Sequence, residues 1–173
     1  KCFWLRVFEI PEGTKTSKGR AIQNLINIEP DDKIKAVINL KNLSDEDYIN
    51  NNYIVLCSEK GIIKKTSLEA YSRPRKNGIN AITIREGDTL LEARLTDGDS
   101  IIMMALHSGK AIRFDEKHVR PMGRTSQGVI GIRLNKDDYV VGMESIVRGS
   151  KETLLAITEN GFGKRTELEE YRH

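Results

Sequence analysis

Three short stretches carry the side chains best suited to bind a partner. Thr14–Arg20 reads TKTSKGR, Ser72–Gly78 reads SRPRKNG and Val119–Gly128 reads VRPMGRTSQG. Together they hold Lys15, Lys18, Arg20, Arg73, Arg75, Lys76, Arg120 and Arg124, and no acidic residue. The whole chain has 28 Lys and Arg against 25 Asp and Glu, a net charge of +3. With eight cations and no acids in these stretches, the remaining body is net acidic. Lys and Arg neutralise phosphates without reading base sequence, and counterion release drives the binding. The glycines and small residues let a backbone approach closely. No Phe, Tyr or Trp occurs in the stretches. That argues against stacking on unpaired bases and for the backbone of a duplex.

Catalytic chemistry is not indicated. SEKGIIKKTSLEAY (Ser58–Tyr71) and TENGFGKRTELEEY (Thr158–Tyr171) are copies of one phrase. Tyr71 and Tyr171 are therefore equivalent, as are Lys64 and Lys164, and a singular nucleophile is not duplicated. Both tyrosines are expected to pack under a loop. His107, His118 and His173 share no metal-ligand spacing and are expected on solvated surface. There is no Gly-x-Ser-x-Gly elbow and no phosphate loop. Cys2 and Cys57 lie in apolar runs and read as core thiols, and Trp4 in FWLRVF reads as core. Two distant cysteines suit a reducing cytoplasm. No apolar run reaches the ~18 residues of a membrane helix. No catalytic residue, metal or cofactor is expected.

The elements that must position the basic stretches come from an internal repeat. Aligning Gly61, Gly109 and Gly161 leads to a period near 50 residues, with an apolar run opening eight positions before each glycine. NGINAITIREGDTLLEA (Asn77–Ala93) matches QGVIGIRLNKDDYVVGM (Gln127–Met143) without a gap, and Lys18–Val37 is an earlier copy. Each unit has four short segments rich in Ile, Val, Leu and Tyr, separated by turn residues and lacking a sustained 3.6-residue period. SLEAY and ELEEY are single helical turns at most. Runs such as IIMMAL are apolar on both strand faces, as stacked blades require. The reading is an all-β, propeller-like array of four-stranded blades. Its divisions are a partial blade with an acidic insertion (1–52), blades at 53–100 and 101–152, and the start of another at 153–173. Strands around Phe3–Phe8 and Thr153–Thr166 are expected to be open edges that seek a partner strand. Asn160-Gly161 predicts a tight hairpin with positive φ at both residues. The acidic turns NLSDEDYINNN (Asn42–Asn52), DDK (Asp31–Lys33), EGD and KDD are expected to face away from a polyanion.

VRPMGRTSQGVIGIRL (Val119–Leu134), ENGFGKRTELEEY (Glu159–Tyr171) and FEIPEGTKTSKGRAIQNLI (Phe8–Ile26) closely resemble the C-terminal domain of bacterial DNA gyrase A. The resemblance covers essentially the whole chain. It implies a β-pinwheel, a propeller look-alike whose blades exchange a strand with their neighbours. It also implies double-stranded DNA wrapped around a basic perimeter with a positive crossing sense. ATP-dependent negative supercoiling then belongs to the holoenzyme, with gyrase B, the rest of gyrase A, ATP and Mg²⁺, and without a membrane. The eight loop cations match the family's rim in general character. The family's seven-residue box, roughly Gln-Lys/Arg-Arg-Gly-Gly-Lys-Gly, does not occur here. The related C-terminal domain of topoisomerase IV is the near alternative. A protein-interaction propeller is more distant, because Trp-Asp and Gly-Gly blade signatures are missing.

Overall fold

The computed structural model describes residues 1–171, so His173 lies outside the described residues. Strands run in chain order as β1 (Tyr53–Ser58), β2 (Ile62–Ser67), β3 (Leu90–Thr96), β4 (Ile101–Leu106), β5 (Ala111–Asp115), β6 (Val129–Ile130), β7 (Val140–Ile146), β8 (Thr153–Ile157) and β9 (Gly163–Glu167). β1–β2, β4–β5 and β8–β9 are antiparallel hairpins in one repeated register: Val55 faces Lys65, Met103 faces Arg113, Leu155 faces Arg165. SLEAY and ELEEY become single 3₁₀ turns at Leu68–Tyr71 and Leu168–Glu170.

The sheet order in the second unit is β3-β1-β2-β6, and β6 comes from the third unit. The blade is thus completed by its neighbour: Ile62 pairs with Ile130 and Ile63 with Val129. The amides of Gly131 and Ile132 both donate to the Gly61 carbonyl, at 2.9 and 3.2 Å. The third segment of the second unit, around 79–84, is not a continuous strand, contrary to the sequence reading. It makes one antiparallel bridge, Ile79 to Cys2, and so also reaches into the preceding unit. The first partial unit holds no named strand: residues 1–45 contain two 3₁₀ turns and the Cys2 bridge. Ala36, Ile38 and Leu40 still alternate inward with Val37 and Asn39 outward. Their pattern survives without a paired strand beside them.

Why both faces of a strand are apolar is visible in how the core divides. Ile54 and Leu56 of β1 join a cluster with Leu68, Tyr71 and Ile79, against which Cys2 and Trp4 pack. Val55 and Cys57 join Ile63, Ile102, Met104, Val140 and Met143. Ile101 and Met103 of β4 turn the other way, to Ile146 and Leu168. Each cluster is the seam between consecutive units. The seam between the second and third units also contains a buried ion pair, Lys65 Nζ to Glu116 at 3.0 Å. Glu116 accepts from the Thr96 hydroxyl at 2.6 Å and the Ser100 amide at 3.1 Å. The Lys65 ammonium lies 4.4 Å from the Tyr53 ring centroid. Hydrogen bonds on every side are what make such a buried charge tolerable. At the chain ends, Val7, Phe8, Leu155, Ile157 and Phe162 are exposed.

Two local expectations are corrected. The acidic stretch after Asn42 is more than a long turn: Glu46–Asn51 is an α-helix, α1, capped by the Asp45 carboxylate accepting from the Tyr48 amide at 3.0 Å. Ile49 on its inner side is buried in the core. Asn160 does not take positive φ; among the described non-glycine residues only Asp137 does. Gly61, Gly109 and Gly161 instead donate their amides back to Ser58, Leu106 and Thr158, and each glycine alone has positive φ. A turn followed by a left-handed glycine suits the three hairpins equally, whatever residue precedes the glycine.

Gly128 offers a test of the exchanged strand. Its φ is 94°, and a Cβ there would meet the Ile63 carbonyl oxygen at 2.6 Å and Ile62 Cγ2 at 2.8 Å. Gly109 has φ 81° and nothing within 4 Å. Gly109→Ala should cost about 1–2 kcal/mol in urea unfolding, from the left-handed backbone alone. Gly128→Ala should cost distinctly more, because β6 must also move off β2; equal losses would contradict the exchange.

Candidate nucleic-acid interface

Each basic stretch follows a 3₁₀ turn. Thr14–Arg20 follows Val7–Glu9, Ser72–Gly78 follows Leu68–Tyr71, and Val119–Gly128 follows Glu116–His118. The third stretch is pinned at both ends to the edge of β2. Pro121 bridges Lys65, whose carbonyl accepts from the Met122 amide at 2.7 Å, and Val129 rejoins at Ile63. Residues between these anchors must therefore bulge from the blade edge. That edge is opposite β3, which packs beside β7 of the next unit.

Seven of the eight loop cations are exposed, and Arg124 is half-buried. Among the described residues none of the eight makes an ion pair. The ion-paired cations lie elsewhere: Lys35, Lys65, Arg94, Lys117 and Arg148. Body cations are thus partly neutralised in place, while the loop cations remain available. The structure brings Arg73, Arg75 and Arg124 together around one concavity of about 300 Å³, completed by Glu69, Ala70 and Ile79. Lys76 and Arg120 lie in the same two loops outside that concavity. Lys15, Lys18 and Arg20 sit on a continuously exposed segment. An Asn27–Asn77 side-chain hydrogen bond of 3.3 Å links their unit to the second loop.

The acidic turns EGD and KDD close the hairpin end of their blades. Asp88 accepts from the Ser58 hydroxyl at 2.6 Å and the Lys60 amide at 3.0 Å. Asp138 does the same for the Ser108 hydroxyl and amide, at 2.7 and 3.1 Å. α1 lies at the other end of the blade, against the Leu68–Tyr71 turn.

The residue that sequence reasoning missed is Lys64. Its side chain is fully buried, and its ammonium donates to the Ala81 carbonyl at 2.6 Å and to the Arg124 carbonyl. The first acceptor follows the second basic loop; the second lies inside the third. Lys64 therefore ties two loops from consecutive units. Thr83 adds a second tie, its amide to Ser126 and its hydroxyl to Thr125, at 3.2 and 2.6 Å. The available signal was a lysine inside a run buried on both faces. Its counterpart Lys164 is exposed. Burial, and secondarily the Arg124 cation, holds the Lys64 ammonium well below its usual value, at about 8. The neutral amine still has two N–H groups for two carbonyls.

Tyr71 packs under its loop as expected, buried, with its hydroxyl donating to the Ala81 carbonyl at 3.3 Å. Burial pushes that phenol up to about 12 and the Cys57 thiol likewise to about 12. Tyr171 is half-buried on the third cluster. His107 is exposed and stacks on Tyr139, ring centroids 4.7 Å apart, and His118 is exposed. No helix among the described residues is long and apolar enough to cross a membrane.

Comparison with known proteins agrees with this geometry. The family model described as the DNA gyrase C-terminal domain, β-propeller, matches residues 1–41, 52–97, 100–146 and 152–172. DNA gyrase A of Staphylococcus epidermidis is 41% identical over 172 residues, which cover 99% of this chain and 19% of that protein. DNA gyrase A of Chlamydia pneumoniae is 38% identical over 175 residues, again 99% of this chain and 20% of the relative. The chain thus spans about a fifth of the length of the curated relatives it matches. Among solved structures, the C-terminal domain of DNA topoisomerase IV superposes with a TM-score of 0.81 at 29% identity, covering 96% of this chain and 50% of that one.

The buried Lys64 has a consequence for stability. Its folded pKa, about 8, lies below the ordinary lysine value near 10.5 that the unfolded chain would show. Below pH 8 both states carry the proton and its burial cost is constant. As pH rises from about 8 towards 10.5, the folded state sheds the proton first and gains stability. Cys57 and Tyr71, with raised values, act oppositely above about pH 9, so the effect must be isolated. Urea unfolding of wild type and Lys64→Met at pH 7.5 and 9.5 does this. Wild type should gain on the variant at the higher pH, and a pH-independent difference would contradict the assignment.

Proposed function

The chain belongs to the DNA gyrase C-terminal domain family, of β-propeller type, and on that premise we propose that it binds and wraps duplex DNA along its basic loops. The observation that carries the reading is the set of eight loop cations, equivalent by repeat and free of ion pairs among the described residues. The third loop bulges from a blade edge and the second faces it across one concavity, where a stiff duplex can follow them from unit to unit. Binding would be made through phosphates, with little preference for base sequence.

In this reading the chain is a non-catalytic, cytoplasmic part of a type II topoisomerase of the gyrase kind. Wrapped DNA would be presented for strand passage by the rest of gyrase A together with gyrase B. ATP and Mg²⁺ would be used there, and negative supercoils would result. A second reading, the equivalent part of a topoisomerase IV, is favoured by the superposition on that enzyme's C-terminal domain. The two share the rim and its electrostatics and differ in the topological outcome of the assembled enzyme.

Titration of a short fluorescent duplex at several salt concentrations tests the common core. If about half of the eight loop cations touch phosphates, log K against log salt should fall with a slope of about −3.6. Binding that is insensitive to salt would overturn the reading. Arg73→Glu, Arg75→Glu and Lys76→Glu together should remove most duplex binding and leave the far-ultraviolet spectrum unchanged. Charge reversal at Lys33, Lys41 and Lys136 should matter much less; equal losses would assign the interaction to bulk charge.

A further inference from the structure

We infer that the notch between the second and third basic loops, walled by Arg73, Arg75 and Arg124, is a seat for a single phosphodiester of duplex DNA. The inference rests on the DNA-binding reading and makes one contact of it specific. Three arginines line the same concavity of about 300 Å³. Glu69 also lines it, yet among the described residues none of the three arginines has a carboxylate within ion-pair distance. Three like charges with one carboxylate beyond ion-pair distance leave a positive excess in the notch, and a phosphate is a group that relieves it. The planar guanidinium fork matches phosphate oxygens two at a time. Ala70 and Ile79 add an apolar wall, which suits the sugar next to a phosphodiester and would offer nothing to a free inorganic ion.

The seat is built by two units, and its walls are held before any ligand arrives. Arg73 and Arg75 flank Pro74 in the second loop, where the proline ring limits the backbone. Arg124 is in the third loop, between the Pro121 bridge and the return at Val129. Lys64 donates to carbonyls on both sides, at Ala81 and Arg124, so its side chain ties the second unit to the third loop. It does not touch the phosphate. The Thr83 bonds to Thr125 and Ser126 close the same seam. A phosphate held here would set the duplex in register with the seam between blades.

A double-mutant cycle on the intact chain, read by duplex affinity at fixed salt, tests the seat with exposed or half-exposed side chains only. Arg75→Gln and Arg124→Gln should each weaken binding. Combined, they should weaken it no more than about twofold beyond the worse single variant, because one phosphate is lost only once. Arg75→Gln with Lys18→Gln, on separate loops, should multiply within about twofold. If the Arg75 and Arg124 losses multiply, or if both pairs are equally coupled, the arginines are independent or collective rim charges and the seat is overturned while DNA binding stands. A wild-type chain that does not bind duplex overturns the seat and the reading beneath it together.

Discussion

The structure depends on a unit being unable to bury both faces of its own sheet. β1 is apolar on either side, and its side chains divide between two clusters, Ile54 and Leu56 in one and Val55 and Cys57 in the other. A sheet of two or three short strands with two apolar faces is not stable by itself. Each face is covered only by a unit adjacent in sequence. The exchanged strand β6 adds hydrogen bonds to the same seam, so consecutive units are joined by backbone as well as by packing.

The placement of the basic loops follows from that exchange. A loop that ends in a strand borrowed by the preceding blade must cross the seam at the outer edge. Its backbone then runs beside the neighbour's β2, within reach of any donor buried there. Lys64 is such a donor. An ammonium inside an apolar seam is unfavourable. It is retained where its hydrogen bonds reach two loops at once, and its depressed pKa is the measure of that desolvation. The buried Lys65–Glu116 pair stands one residue along and serves the seam in another way, linking β2 to the turn that opens the third loop. Consecutive lysines, 64 and 65, point to opposite faces of one strand and end in different surroundings, Lys64 between the carbonyls of Ala81 and Arg124 and Lys65 against the Glu116 carboxylate.

Charge is sorted by the same geometry. Asp88 and Asp138 commit their carboxylates to the amides and hydroxyls of hairpin turns, at one end of their blades. Asp99 and Asp115 are held by Lys117 and Arg148. Loop cations on the edge meet no such partner among the described residues. A body with excess acid thus carries a positive edge, and these ordered acids are occupied by the fold itself.

The repeat, the strand character, the both-face burial and the acid-free loops were legible in the residues, because each is a matter of local composition and spacing. The equivalence of Lys64 with Lys164 was legible too, and both hold the same register position in their hairpins. What the phrase could not show is that Lys64 is buried and bonded to carbonyls of two units. Strand exchange left no mark in the periodicity of Asn77–Thr83 or Gln127–Arg133, because a strand alternates in the same way whichever sheet receives it. The helix at Glu46–Asn51 was hidden in an acidic stretch, where Asp45 as a cap and Ile49 as the buried contact were the only signals. The hairpin turns were misjudged at Asn160 because a left-handed glycine after the turn satisfies the strand twist by itself. The residues determined the repeat, the apolar segments that pack and the loops that are basic, but segments within 1–45 and at 79–84 carry strand patterning without forming strands. Only packing between units decided which strands pair and which cations share a notch, because those depend on contacts across a seam that no local spacing encodes.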